Sequence, residues 1–362
     1  MRFGLLCGIG PRANGFADAL KTRGHSTPRH LAYEQFVKDK DVLRAFLQDI
    51  DVLRIDSPGG GYDIWKCFSG HIGMPTSGYQ KQYGQIYPQA PFVHGTYGCV
   101  KLACDLAYEH SVPCTVDPQA VQCFMDKHTT HKLCAPSLST PEALPEIKNW
   151  AELNAAMKAR DIRNVFMKLR YGSAASGVLA IETFGSKLRV WTSVELIDDR
   201  SGVQLFNSLK IRKYLDKEAK RLIDIVATMG VHTETWIPKL QLEGKPSDLR
   251  LVVVGGIPAH CVVRRSTSPL TNLHLNNERL STEEIRHKLP SKIWDEILDM
   301  GAKAGQFFPK HLCIGVDIAI HRESKTPYLL EVNAFGDHLN DVYYDELNPY
   351  EFQIRHLEKK YA

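Results

Sequence analysis

The rhythm of apolar and polar positions changes along the chain and divides it. The opening FGLLCGI is an unbroken apolar run of strand length, and Gly10 and Pro11 then mark a turn into a helix running towards Arg23. DVLRI at 51–55 and PFVHG at 91–95 read as further strands, while VKLACDLAYEH at 100–110 carries apolar residues at helical spacing before Pro113. Strands alternating with helices predict a small, mostly parallel sheet.

The stretch PSLSTPEALPEIKNW, 136–150, is dense in proline and turn residues and separates this layer from a new series of strands. NVFMKLR, GVLAIE, KLRVWT, VHTETWI and RLVVVGG alternate apolar with polar residues, the pattern of antiparallel sheet with one face exposed. A long helical pattern from about Ser281 to Gln306 precedes two last strands, HLCIGVDIAI and PYLLEVNAF. The order contains no internal repeat.

At 362 residues the chain exceeds one ordinary domain, and 43% hydrophobic with 24% charged residues is the make-up of a soluble globular protein. The formal charge of +4 comes from 45 basic and 41 acidic side chains mixed along the sequence, without the dense Lys/Arg block of a nucleic-acid binder. The apolar stretch in MRFGLLCGIGPRANG is too short for a signal peptide, and no later stretch reaches bilayer length, so no membrane contact and a cytoplasmic location are expected. Nine cysteines without a CxxC pair read mostly as reduced core residues.

Candidate chemistry sharpens this. GIGPRA at 8–13 fits the loose GxGxxA dinucleotide pattern, but the acid expected about twenty residues on, at the end of a second strand, is missing; Glu34 lies in helical context. A tight strand-to-helix turn is the better reading. FMKLRYGSAASGV at 166–178 ends a strand on Lys168 and follows it with Gly172, Ser173, Ala174, Ala175, Ser176 and Gly177. Small residues leave backbone N–H groups able to close over phosphoryl oxygens, and the lysine adds a point charge. It is not a Walker A loop, which needs GK[ST] and a following helix.

GVDIAI and YLLEVNAF, separated by HRESKTP, have hairpin spacing, and Glu331 and Asn333 share a face at i, i+2. With Asp317 they make a set of hard oxygen ligands suited to Mg²⁺, although paired strand carboxylates serve equally often in salt bridges. Arg250, Arg264, Arg265 and Asn272 fall in or beside strands and could hold anionic oxygens, the arginines through their planar forks. His128 and His131 form an HxxH pair with no third zinc ligand at suggestive spacing, and no Gly-x-Ser-x-Gly elbow supports a serine hydrolase.

The order of these segments over roughly 120–338 resembles the ATP-grasp superfamily, within it the RimK-type glutamate ligases and bacterial glutathione synthetases. MDKHTTHKL resembles the first nucleotide lysine of that family, implying Lys127 at the α-phosphate, and FMKLRYGSAASG resembles the second lysine with its loop over the β- and γ-phosphates. TETWIP resembles the hinge whose backbone reads adenine, implying Glu234, Thr235, Trp236 and Ile237; the DxR strand implies Asp248 at the ribose hydroxyls. RR followed by NLH implies Arg264 or Arg265, with Asn272, at the reacting phosphoryl group, and GVDI with LLEVN implies Asp317, Glu331 and Asn333 as magnesium ligands. Two departures stand out: the usual Asn-x-Ser-Pro-Gly reads NAFGD, and the first 118 residues match no substrate domain.

The fold so implied is mixed α/β and α+β: an ATP-grasp fold with an N-terminal α/β (pre-ATP-grasp) unit at 1–118, a lid at 119–238 and a C-terminal subdomain at 239–362 carrying the magnesium site. The implied activity is ATP-dependent joining of a carboxylate to an amine through an acyl phosphate, with Mg²⁺ or, as a substitute, Mn²⁺. Small-molecule or peptide substrates are expected and a homo-oligomer is allowed. A grasp-fold kinase and a non-catalytic nucleotide binder are the alternatives, the latter disfavoured by the intact magnesium set.

Overall fold

The computed structural model describes residues 1–362 apart from 9, 174, 200, 201, 273, 274, 276, 338 and 362. Its first sheet is parallel, with β1 (Phe3–Leu6) between β2 (Arg29–Leu31) and β3 (Val52–Ile55). All of β1 is buried, which is why its sequence shows no alternation. The helix Pro11–Thr22 follows as expected, with proline in its first turn where the missing N–H has no partner to lose.

PFVHG, expected as a strand, instead lies inside the helix Gln89–Glu109. The buried positions there, Phe92, Val93, Thr96, Cys99, Val100, Ala103, Leu106 and Ala107, recur at three- and four-residue intervals, a period too long to be legible in a five-residue window. Pro91 sits in the first turn, where it does not break the helix.

The second sheet is antiparallel, in the order β7-β6-β5-β4-β8: β4 (Asn164–Leu169), β5 (Leu179–Phe184), β6 (Lys187–Asp199), β7 (Gly202–Leu215) and β8 (Val231–Thr235). The third runs β12-β11-β10-β13-β14, with β9 (Gln241–Leu242) beside β10 (Lys245–Val254), then β11 (Ile257–Arg265), β12 (Glu278–Leu280), β13 (Cys313–Ile320) and β14 (Pro327–Asn333). It too is antiparallel, as expected. The exposed face expected with that pairing is absent on β10, buried from Ser247 to Val254, and on β13, buried throughout, because ion-paired side chains cover the face opposite the core. The single helix expected from Ser281 to Gln306 is two, Glu283–Arg286 and Ser291–Gln306, because extended backbone at Pro290 cannot carry the first into the second.

The cores decide how these layers meet. Met167, Leu179 and Ile181 pack on Leu153, Met157, Leu222 and Val226, so the second sheet owns its core. The first and third sheets share one, in which Phe3, Phe16 and Leu20 pack with Val252, Val254, Phe352 and Ile354, the last two from the C-terminal helix Pro349–Tyr361. All nine cysteines are free, and Cys7, Cys99, Cys123, Cys134 and Cys313 are buried. Among the described residues no helix is long and apolar enough to cross a membrane.

Candidate active site

A cleft of about 440 Å³ opens between the second sheet and the other two. Its floor is one face of the third sheet. Leu249 and Leu251 on β10 turn into the core under the helix Ser291–Gln306, so their neighbours Asp248 and Arg250 turn the other way, into the cleft. Strand register sets Arg264 opposite Asp248, Asp317 opposite Arg250 and Glu331 opposite Asp317. Five charged side chains from four strands thus meet on one surface.

They are tied into a continuous network. Arg264 donates through Nε to Asp248 at 2.7 Å and through Nη1 to Asp317 at 3.3 Å. Arg250 binds Asp317 with two bonds of 2.5 and 3.1 Å and reaches Asp337 at 3.3 Å. Lys239 donates to Asp248 at 2.9 Å and to the Thr271 hydroxyl at 2.6 Å, and Thr271 in turn donates to Asp248. Burial opposes the Asp248 charge, but Arg264 and Lys239 outweigh it and hold the carboxyl far below its usual range. Burial pushes the Lys239 ammonium down.

The second sheet supplies the wall. Lys168 on β4 forms an ion pair with Glu234 on the adjacent β8, and His232 lies 3.3 Å from the same carboxylate. Burial would discharge both groups. Mutual attraction wins, raising Lys168 above its ordinary value and holding Glu234 at about 2. Lys127 opens the helix Lys127–Cys134, whose N-cap Asp126 is itself held by Arg170, and it bridges the two halves of the site. Its Nζ donates to the Gly172 carbonyl at 2.5 Å and to Glu331 at 2.9 Å.

Most residues singled out in the sequence converge here. Lys127, Lys168, Gly172, Ser173, Ser176, Glu234, Thr235, Ile237, Asp248, Arg264, Asn272, Asp317, Glu331 and Asn333 all line the cleft. Ala174 lies outside the described residues. Gly177 stands behind the wall, with φ of 67° and no room for a Cβ against Leu169. Trp236 packs on Phe166, ring centroids 5.0 Å apart, instead of lining the cleft. The backbone N–H groups of Thr235 and Trp236, in the expected hinge, already donate to the Glu142 and Asn164 carbonyls.

Arg265 is turned away from its neighbour. Successive strand residues face opposite sides, so it leaves the cleft to Arg264 and pairs at the surface with Glu243 and Glu278. His128 and His131 acquire a third imidazole, His232, at 6.2 and 5.3 Å between ring centroids. A ring nitrogen of His131 contacts the Pro141 carbonyl at 2.8 Å, and among the described residues no Asp, Glu, His and Cys cluster is arranged to hold a metal.

The donors expected for Mg²⁺ are two carboxylates and an amide. Asp317 and Glu331 are cross-strand neighbours, Asn333 lies two residues along the same face, and all three line the cleft. The cations Arg250, Arg264 and Lys127 now rest on those carboxylates. The set fits a hard dication that draws its other ligands from phosphate and water.

Several residues went unread. Arg12, in the first turn of the helix after β1, and the segment Ser57–Gly60 after β3 reach the cleft, and Lys239 and Thr271 complete its floor. Arg12 is held by Asp56 at 2.9 Å and donates to the Phe335 carbonyl, joining the N-terminal turn to the loop after β14. The glycine clusters of both segments were visible signals, but nothing local tied them to the distant strands of the third sheet.

No protein-family model and no curated protein matches the chain. Solved structures do. D-cycloserine synthetase DcsG aligns at 14% identity over 99% of both chains, with a TM-score of 0.57. D-alanine–D-alanine ligase from Bacillus anthracis, complexed with ATP, aligns at 14% identity over 99% of this chain and 96% of its own, TM-score 0.53. The ATP-grasp ligase PsnB, complexed with precursor peptide PsnA2 and AMPPNP, aligns at 11% identity over 99% of this chain and 97% of its own, TM-score 0.53. Likeness of this length at such low identity speaks for architecture, and together with the sheets described above it establishes that this chain has the ATP-grasp fold.

Proposed function

We propose that the protein is an ATP-dependent ligase joining a carboxylate to an amine through an acyl phosphate. The observation that carries the reading is the convergence of Lys127, Lys168, Arg250 and Arg264 with Asp317, Glu331 and Asn333 in one cleft between three sheets. Phosphoryl transfer asks a protein chiefly for position and for fixed charge around the equatorial oxygens, and these residues offer both. The three units expected at 1–118, 119–238 and 239–362 would carry the substrate end, the lid and the metal end respectively.

In this reading Lys127 exchanges Glu331 for the α-phosphate, and Lys168 faces the β- and γ-phosphates under the loop from Gly172. Thr235 and Ile237 border the adenine. Arg264 and Arg250 meet the charge that develops as a carboxylate oxygen bonds to the γ-phosphorus and the bond to ADP breaks. Mg²⁺, held by Asp317, Glu331 and Asn333, would supply Lewis-acid neutralisation of phosphoryl oxygens. The amine nitrogen then attacks the acyl carbon, phosphate leaves with the C–O bonding pair, and the surplus amine proton passes to solvent.

Hydroxylamine tests this directly. With MgATP and the right acid but no amine, it should trap the acyl phosphate as a hydroxamate, with one ADP and one phosphate released per product. A compound screen that yields phosphorylated acceptors and never a hydroxamate or a coupled amide would replace the ligase with a kinase; one in which ATP is bound and never turned over would leave a nucleotide binder.

A further inference from the structure

We infer that Asp248, to which the family resemblance gives the ribose hydroxyls, is instead the positioning residue of Arg264, with Lys239 and Thr271 as its supports. The inference rests on the ligase reading above. Asp248 is 2% exposed and accepts from three protein donors: Arg264 Nε on Oδ1, and Lys239 Nζ and the Thr271 hydroxyl on Oδ2. A carboxylate has roughly four lone-pair positions, so at most about one remains for a ligand. Glu234, the other carboxylate at the hinge end, is taken by Lys168 and His232.

The charge order explains why Lys239 is there. Along the floor the signs alternate through Lys239, Asp248, Arg264, Asp317, Arg250 and Asp337. Arg264 divides its charge between two carboxylates, and without Lys239 the buried Asp248 would be under-compensated. Held through Nε by Asp248 and through Nη1 by Asp317, the Arg264 guanidinium is fixed from two sides, and losing the Asp248 bond would leave its plane free to turn about the remaining one.

Two arms decide the matter. In the binding arm, wild type and Asp248→Asn are titrated calorimetrically with MgADP and its 2′-deoxy and 3′-deoxy analogues. A ribose hydroxyl on a charged carboxylate is typically worth about tenfold or more in affinity. We expect the variant to bind MgADP as the wild type does, with the same sensitivity to either deoxy change. A wild-type loss of that size which vanishes in Asp248→Asn overturns the inference. In the turnover arm, read with ATP, hydroxylamine and the acid found by the hydroxamate screen, kcat should fall on the order of 10² with KM for ATP unchanged. The loss should add nothing to that of Arg264→Ala, since the two act as one unit. A raised KM for ATP with kcat intact overturns it. If Asp248→Asn does not fold, Thr271→Val removes one donor from the same carboxylate, and the same split between kcat and KM applies. Should no acid turn over, the ligase reading fails, while the binding arm still rules on Asp248.

Discussion

Replacing Arg264 and Arg265 in turn by lysine separates two residues that the sequence leaves equivalent. Arg264 is 4% exposed and spans from β11 across β10 to β13, bonding Asp248 and Asp317 through different nitrogens. A lysine ammonium is a single point and reaches one of the two carboxylates. Losing a buried hydrogen bond to a charged group typically costs about 1.5–3 kcal/mol, so Arg264→Lys should lower the unfolding free energy by that much. Turnover should suffer more specifically. If the guanidinium stabilises the phosphoryl group in transfer, removing the fork lowers kcat by roughly 10² to 10³, about 3–4 kcal/mol of barrier. Arg265 pairs with Glu243 and Glu278, whose side chains are 70% and 44% exposed, and there a lysine serves as well as an arginine. Arg265→Lys should keep the wild-type rate and denaturation midpoint. The measurements are ADP release in a coupled assay and denaturant unfolding of the same preparations. Equal losses in the two variants, or a larger one for Arg265→Lys, would refute the geometry on which the difference is argued.

Two further outcomes follow from the same network. Glu331→Gln keeps the shape beside Asp317 but loses the charge that also anchors Lys127, so turnover should collapse at ordinary Mg²⁺ and recover partly as Mg²⁺ is raised; full activity at ordinary Mg²⁺ would remove Glu331 from the metal set. Glu234, held at about 2 by Lys168 and His232 against an ordinary 4.5, contributes about 3 kcal/mol that is present above pH 4.5 and lost as pH falls through about 2, and urea unfolding at stepped pH that stays flat across this window would contradict the pairing.

Features encoded within a short stretch of chain were legible without coordinates. Lys168 and its loop, and the hairpin that aligns Asp317, Glu331 and Asn333, depend on strand alternation and on neighbours a few residues away, which periodicity reports directly, whereas Glu234 to Ile237 at the end of β8 were singled out by the family resemblance alone. The antiparallel pairing of the two later sheets agrees with the expectation, but one wet face per strand does not hold throughout, since β13 is buried along its whole length and β10 from Ser247 to Val254. What only the tertiary structure decided is which distant segments share a surface. The choice between Arg264 and Arg265 depends on the register of β11 against β10, where a slip of one residue would exchange their faces. Arg12 and the turn at Ser57 enter the cleft because Phe3, Phe16 and Leu20 share a core with Val252 and Phe352, a packing of segments more than 200 residues apart that no local pattern encodes. Asp248 was visible as an acid on a strand, but its three donors come from positions 239, 264 and 271, and their meeting exists only once the sheet has closed around a buried charge that has to be compensated.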